Sequence, residues 1–201
     1  MSLPMIIGIT GGICSGKNLV CSFFKENGAH IFDADIIAKE ICQPEKPAWN
    51  KIINIFGDNI LNPDKTLNTK KLANIVFNDS NKLKELESVI HPEVKSLILE
   101  RISGLKAESI AVINAPLLLE ANFDEFTDKI IVVSCDEKTQ IERCKHRDGL
   151  NVIDIKTRMA RQIPLAEKVK KADFIINNNG SENETRRQFE EIWKTIKKTT
   201  K

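Results

Sequence analysis

The stretch MIIGITGGICSGKN, Met5 to Asn18, is a short apolar run closed by paired glycines and followed by a cation. Met5 to Thr10 is rich in isoleucine and lacks polar alternation, the pattern of a strand buried on both faces of a parallel sheet. Beyond the glycines, Val20, Phe23 and Phe24 fall at helical spacing and Asn27-Gly28 supplies a stop, which predicts a helix over Lys17 to Glu26. Gly11, Gly16 and Lys17 meet the three fixed positions of GxxxxGK, whereas Asn18 misses the Ser/Thr that completes a phosphate loop. Between a strand and a helix, Gly12, Ile13, Cys14, Ser15 and Gly16 can wrap backbone N–H groups around phosphate oxygens, with Lys17 and the helix N-terminus adding positive potential. A dinucleotide-binding turn would also place a carboxylate near Asp33, about 20 residues on, but GxGxxG is absent.

The alternation continues. His30 to Phe32, Ile110 to Asn114, Ile130 to Cys135 and Phe174 to Asn177 read as further strands separated by helical stretches. Parallel strands need crossovers, and crossovers cover the sheet, so the expected class is α/β, a three-layer phosphate-loop fold with a five-stranded parallel sheet. The segment from about 36 to 108 holds no clear strand and is too long for one crossover; Trp49, Ile52, Ile53 and Phe56 mark it as a helical insertion. His91-Pro92 is expected to open a further helix with Val94, Leu97 and Ile98 as its stripe, since proline suits a first turn. The final helix, about Glu182 to Lys198, carries Phe189, Ile192, Trp193 and Ile196 as a packing face.

Length and composition set the bounds. The 201 residues are 41% hydrophobic and 29% charged, which excludes a disordered tail, a fibrous repeat or a disulfide scaffold. A net charge of +2 predicts neither a nucleic-acid nor a membrane partner. The five cysteines contain no CxxC pair, which points to a reduced, cytoplasmic compartment. The start lacks the basic residues of a signal peptide, and no run approaches about 18 uninterrupted apolar residues. The cations between Gln140 and Ala172, Lys168 among them, read mostly as a solvated helix face.

Asp33 follows the second strand, at the carboxyl edge where open α/β sheets bind ligands, and suits a general base in phosphoryl transfer to an alcohol. Asp35 reads equally as the N-cap of a helix from Ile36 or as a ligand contact. Arg143 and Arg147, four apart, share a helix side and can pair with carboxylates or steady a transferring phosphate.

In order, the blocks GITGGICSGK, DADIIAKEI, HPEV, APLLLE, IERCKHRDGL, ARQIPLAEK and ADFIINNNGS resemble the dephospho-coenzyme A kinase family from about Ile6 to Arg187. The resemblance implies transfer of the γ-phosphate of ATP, with Mg²⁺, to the ribose 3′-hydroxyl of dephospho-coenzyme A. By similarity, Gly12 to Lys17, with Asn18 and Leu19, cradle ATP, while Lys17, Asp33 and Arg143 are catalytic. Asn178 to Gly180 resembles the adenine-side loop, and about 148 to 172 resembles a mobile lid containing Gln162. Asp35, His91, Pro116, Leu117, Glu120 and Gln162 are expected at the acceptor, with Asn18 and Asp33 at the metal. The implied partners are small-molecule substrates, for a monomer or weak homo-oligomer.

Departures from the family pattern are local. Asn18 replaces the hydroxyl residue that usually binds Mg²⁺, Leu19 a usual threonine, Cys14 a usual glycine, and Asn114 stands where an acid is common. Two neutral amides at metal-side positions predict weaker or differently organised Mg²⁺ binding. They also motivate an alternative, a non-catalytic ATP-binding regulator, beside a kinase for another nucleotide-like acceptor. A GTP switch is disfavoured, because Asn81-Lys82-Leu83-Lys84 fails NKxD at its last position.

Overall fold

In the computed structural model, which describes residues 4–199, the apolar run becomes β1 (Met5–Gly11), followed by α1 (Lys17–Glu26) and β2 (His30–Asp33). Met1 to Leu3, part of the signal-peptide reading, lie outside the described residues, as do Thr200 and Lys201. The remaining strands are β3 (Ile110–Asn114), β4 (Lys129–Ser134) and β5 (Phe174–Asn177). All pair in parallel in the order β2-β3-β1-β4-β5, so β1 is central and its trailing loop rises from the middle of the carboxyl edge. Four strand ends differ from expectation by one residue: β1 reaches Gly11, β2 reaches Asp33, and β4 runs from Lys129 to Ser134 rather than from Ile130 to Cys135.

The described residues divide into two compact units, one of residues 4–33 with 105–199, the other Ala34–Gly104. In the sheet unit, α6 (Glu137–Asp148), α7 (Val152–Met159) and α8 (Leu165–Lys170) lie between β4 and β5, and α9 (Glu182–Thr199) closes the chain. One sheet face presents Ile7, Ile9, Val112, Ile131 and Val133 to α1 and α9, where Phe23, Phe24 and Phe189 are fully buried. The ring of Phe24 meets Phe189 edge-on at 4.9 Å and Trp193 at 5.6 Å. Alternate residues of β1 face the other way. There Leu118 fills the space left by Gly8, and Thr10 meets the side chain of Lys168 from α8. Helices therefore cover both faces.

The second unit is helical: α2 (Ala34–Ile41), α3 (Pro47–Phe56), α4 (Thr69–Asn78) and α5 (Ser80–Ser103), with α5 packed against the other three. Asn68 and Asp79 cap α4 and α5 by accepting backbone N–H groups, and Pro47 sits in the first turn of α3. Pro92 does not open a helix. It lies inside the 24-residue α5. Val89 on one side of it and Val94, Ile98 and Ile102 on the other are buried, so packing along the helix outweighs the one backbone hydrogen bond that proline forfeits. The N-cap reading of Asp35 also fails, because α2 begins at Ala34 and Asp35 stands in its first turn.

Candidate active site

The loop between β1 and α1 bends where the sequence permits. Gly16 has φ 92°, in the left-handed region, and a Cβ there would overlap the Asn178 amide. Gly12 is equally constrained, by the buried Gln140 side chain lying against it. Cys14, with φ 54°, takes a left-handed conformation without being glycine. The loop is held from outside: Asn178 Nδ2 donates to Ser15 O at 2.7 Å, and Thr185 Oγ1 donates to Asn178 Oδ1 at 2.8 Å. Gln140 Nε2 is tied to Cys135 O at 2.9 Å. Sequence reading missed Gln140 and Thr185; the only signal was their place on helices that follow the carboxyl ends of β4 and β5.

Lys17 is buried and bends back over the loop, its ammonium donating to Gly11 O at 3.2 Å and Gly12 O at 3.1 Å. Asp33 and Asn114 are register partners at the carboxyl ends of β2 and β3, and Asn114 also pairs with Ile9 of β1. Asn114 Nδ2 donates to Asp33 Oδ2 at 2.7 Å and to Asn18 Oδ1 at 3.0 Å. The three residues that set the metal-side chemistry are thus joined through one amide. Lys17 and Asp33 both act on the Cys21 thiol, whose pKa is pushed up to about 12, first by burial and then by the Asp33 charge, with Lys17 opposing.

Among the described residues, the buried side-chain polar atoms without a hydrogen-bond partner are Ser15 Oγ, Asn114 Oδ1 and Arg143 Nη1. All three belong to this loop or its surroundings, and Arg143 Nη1 lies beside Gly16. Buried polar groups are ordinarily satisfied, so three orphans gathered around one loop mark a place that a polar ligand completes. A donor from Ser15, a cation from Arg143 and the Lys17 ammonium suit an anion. The oxygens of Asp33, Asn18 and Asn114 suit a hard cation.

Other expected site residues take different places. Gln162 meets the phosphate loop: the segment between α7 and α8 brings its Oε1 to the Ile13 N–H at 2.9 Å. Leu19 turns toward the apolar cluster under α1. Glu120 is engaged by the Ile163 N–H at 2.8 Å and by Lys168 at 2.9 Å. Lys168 is not solvated as expected; it is fully buried, and its ammonium also donates to Pro116 O at 2.8 Å. A lysine can be buried where fixed oxygens replace its water, which charge counting along the chain does not show. Leu117 is partly exposed, and Gly180 lies beside Glu184, which accepts from Ser181. Asp35 and His91 belong to the helical unit. Burial holds the His91 imidazole below its usual pKa despite the opposing charge of Glu87.

The reading of all cysteines as reduced is corrected as well. Cys14 and Cys144 form a disulfide with Cα atoms 5.6 Å apart, leaving Cys21, Cys42 and Cys135 as thiols. Their 130-residue separation hides the pair from any search by local spacing.

A family model described as dephospho-CoA kinase (CoaE) matches residues 5–184. A dephospho-CoA kinase of Carboxydothermus hydrogenoformans is 43% identical over 186 residues, 92% of this chain and 90% of that protein. Another, from Geobacter sulfurreducens, is 40% identical over 190 residues, covering 94% and 96%. The solved dephospho-CoA kinase of Campylobacter jejuni superposes with a TM-score of 0.72 at 30% identity, covering 98% of each chain.

Proposed function

The chain belongs to the dephospho-CoA kinase family, and from that premise we propose how its residues divide the transfer of the γ-phosphate of ATP to the ribose 3′-hydroxyl of dephospho-CoA, yielding coenzyme A. The reading rests on one observation above all, the three unpartnered buried polar atoms converging on the loop beside Lys17. Backbone N–H groups of Gly12 to Lys17 hold the triphosphate, and Lys17, already restrained by two carbonyls, offers its ammonium without a search for position. Arg143 Nη1 supplies a further donor as charge develops on the moving phosphoryl group.

Asp33 orients the acceptor hydroxyl and takes its proton. The Asn114 amide fixes one carboxylate oxygen, so the side chain is aimed before substrate arrives. Asp33 and Asn18, with Asn114 beside them, would hold Mg²⁺, which when bound shields phosphate charge. In this arrangement Asn114 presents its NH₂ to the other two residues; reversing the amide puts Oδ1 in its place and gives an all-oxygen set. On the acceptor side we assign Asp35, His91, Pro116 and Leu117, and we read the helical unit as the acceptor-binding insertion. Burial keeps the His91 imidazole neutral near pH 7, fit for hydrogen bonding rather than charge pairing. Gln162 and the α7–α8 segment act as the lid over the loop, which excludes water from the γ-phosphate.

No helix among the described residues is long and apolar enough to cross a membrane, and we place the reaction in the cytoplasm with a monomer or weak homo-oligomer as its unit. The test is ADP release with ATP plus dephospho-CoA, against ATP alone and ATP with adenosine or nucleoside monophosphates. Acceptor-dependent release is expected. Asp33→Asn should lower turnover at least about a hundredfold while ATP still binds. ATP binding without acceptor-dependent ADP release would instead favour the regulator.

A further inference from the structure

The Cys14–Cys144 pair ties the tip of the phosphate loop to α6, one residue from Arg143. Its sulfurs lie in a small apolar cluster with Ile155, against which Ile13, Ile141, Leu150 and Met159 pack. The cluster therefore joins the loop, the helix that carries Arg143 and the helix α7 of the lid. In the same state the Ile13 N–H, a loop donor, is occupied by Gln162 of the lid.

We propose that Cys14 and Cys144 are a reversible thiol–disulfide pair that switches the kinase between an active dithiol form and a restrained disulfide form. This rests on the kinase reading above. Oxidation by a low-molecular-weight disulfide, RSSR, balances as follows. The Cys14 thiolate attacks one sulfur of RSSR, forming a mixed disulfide and releasing one RS⁻, which takes up a proton. The Cys144 thiolate then attacks the Cys14 sulfur, forming the internal bond and expelling the second RS⁻, so two thiols are oxidised and one RSSR is reduced to two RSH. Cys14 is the first attacker because it is 8% exposed and Cys144 is fully buried.

The closed bond fixes the loop against α6 and keeps the Gln162 cap on Ile13, so neither the loop nor the Arg143 helix adjusts freely around a triphosphate. Reduction frees both. Chains working in reducing surroundings form disulfides mainly as transient, signalling bonds. The sulfurs also lie near Asp148, a set able to hold a soft cation, but both Asp148 oxygens already accept from Arg147, which favours the disulfide.

The experiment treats the full-length enzyme with oxidised glutathione or with a reducing thiol, in chelator, then removes the reagents and assays with ATP, Mg²⁺ and dephospho-CoA. The oxidised enzyme should titrate three thiols after denaturation against five in the reduced enzyme, with no bound glutathione by mass. Its kcat/KM for ATP should fall at least about tenfold and return on reduction. Cys144→Ser and Cys144→Ala, whichever is better folded by thermal melting, should keep the reduced rate and resist the oxidant. Five thiols after oxidation, three thiols with unchanged kcat/KM, or equal inhibition of the Cys144 variants would overturn the proposal. An inactive reduced enzyme would instead strike at the kinase reading itself.

Discussion

Replacing Lys168 by Met removes an ammonium whose side chain is 1% exposed and which meets Glu120 Oε1 at 2.9 Å, Pro116 O at 2.8 Å and Thr10 Oγ1 at 3.4 Å. What remains is a Glu120 carboxylate, 16% exposed, with the Ile163 N–H as its surviving partner. Breaking a buried pair by deleting one ion costs about 3–5 kcal/mol, and the residual N–H and partial exposure put this case near the lower end, about 3 kcal/mol. For a chain of this size that corresponds to a fall in Tm of about 6–12 °C. Urea and thermal unfolding of Lys168→Met, Glu120→Gln and the double variant measure it. Because Glu120→Gln removes the orphaned charge, the double variant should recover about 1–2 kcal/mol of the single-variant loss. A loss below about 1 kcal/mol in Lys168→Met, or strictly additive effects in the double variant, would refute the view of Lys168 as a desolvated, paired cation.

Two further outcomes follow from the site and its frame. Asn18→Ser replaces an amide held by Asn114 with a hydroxyl and should lower the Mg²⁺ concentration for half-maximal rate, an effect read directly from a metal titration. Burial raises the pKa of Asp173, but the Lys129 ammonium and the Ile130 N–H outweigh it and hold the carboxyl below its usual value. Its contribution is therefore full above the unfolded pKa of about 3.9 and is lost as pH falls through the lower folded value. Asp173→Asn should be less stable than the parent at pH 7, with the gap closing as pH falls below the unfolded carboxylate value, as followed by urea unfolding at each pH.

Much of the sheet unit was legible because its signals are local. The β1 run, the glycine turn and the α1 stripe each carry their own periodicity, and α1 runs from Lys17 to Glu26 as the spacing predicts. The family resemblance reached farther than periodicity, and the matched family model covers all of the same blocks. What sequence reading missed depends on distant groups meeting. Lys168 looked solvated among its lysine neighbours because the oxygens that receive it come from β1 and from the segment after β3. Cys144 seemed one thiol among five because its partner lies 130 positions away. Pro92 obeyed a local rule that a buried stripe through α5 overrules. Gln162 was placed by family block alone, and only the folded segment after α7 shows which loop atom it meets.

The chain has two tryptophans and no tyrosine, and the fold allots one indole to each compact unit. Trp49 donates its ring N–H to Lys65 O at 2.9 Å in the helical unit, whereas Trp193 stands against Phe24 and Phe189 in the sheet unit. Intrinsic emission is therefore a two-channel reporter already present in the natural sequence. With Trp49→Phe and Trp193→Phe each silencing one channel, the melting of either unit can be watched without attaching a dye.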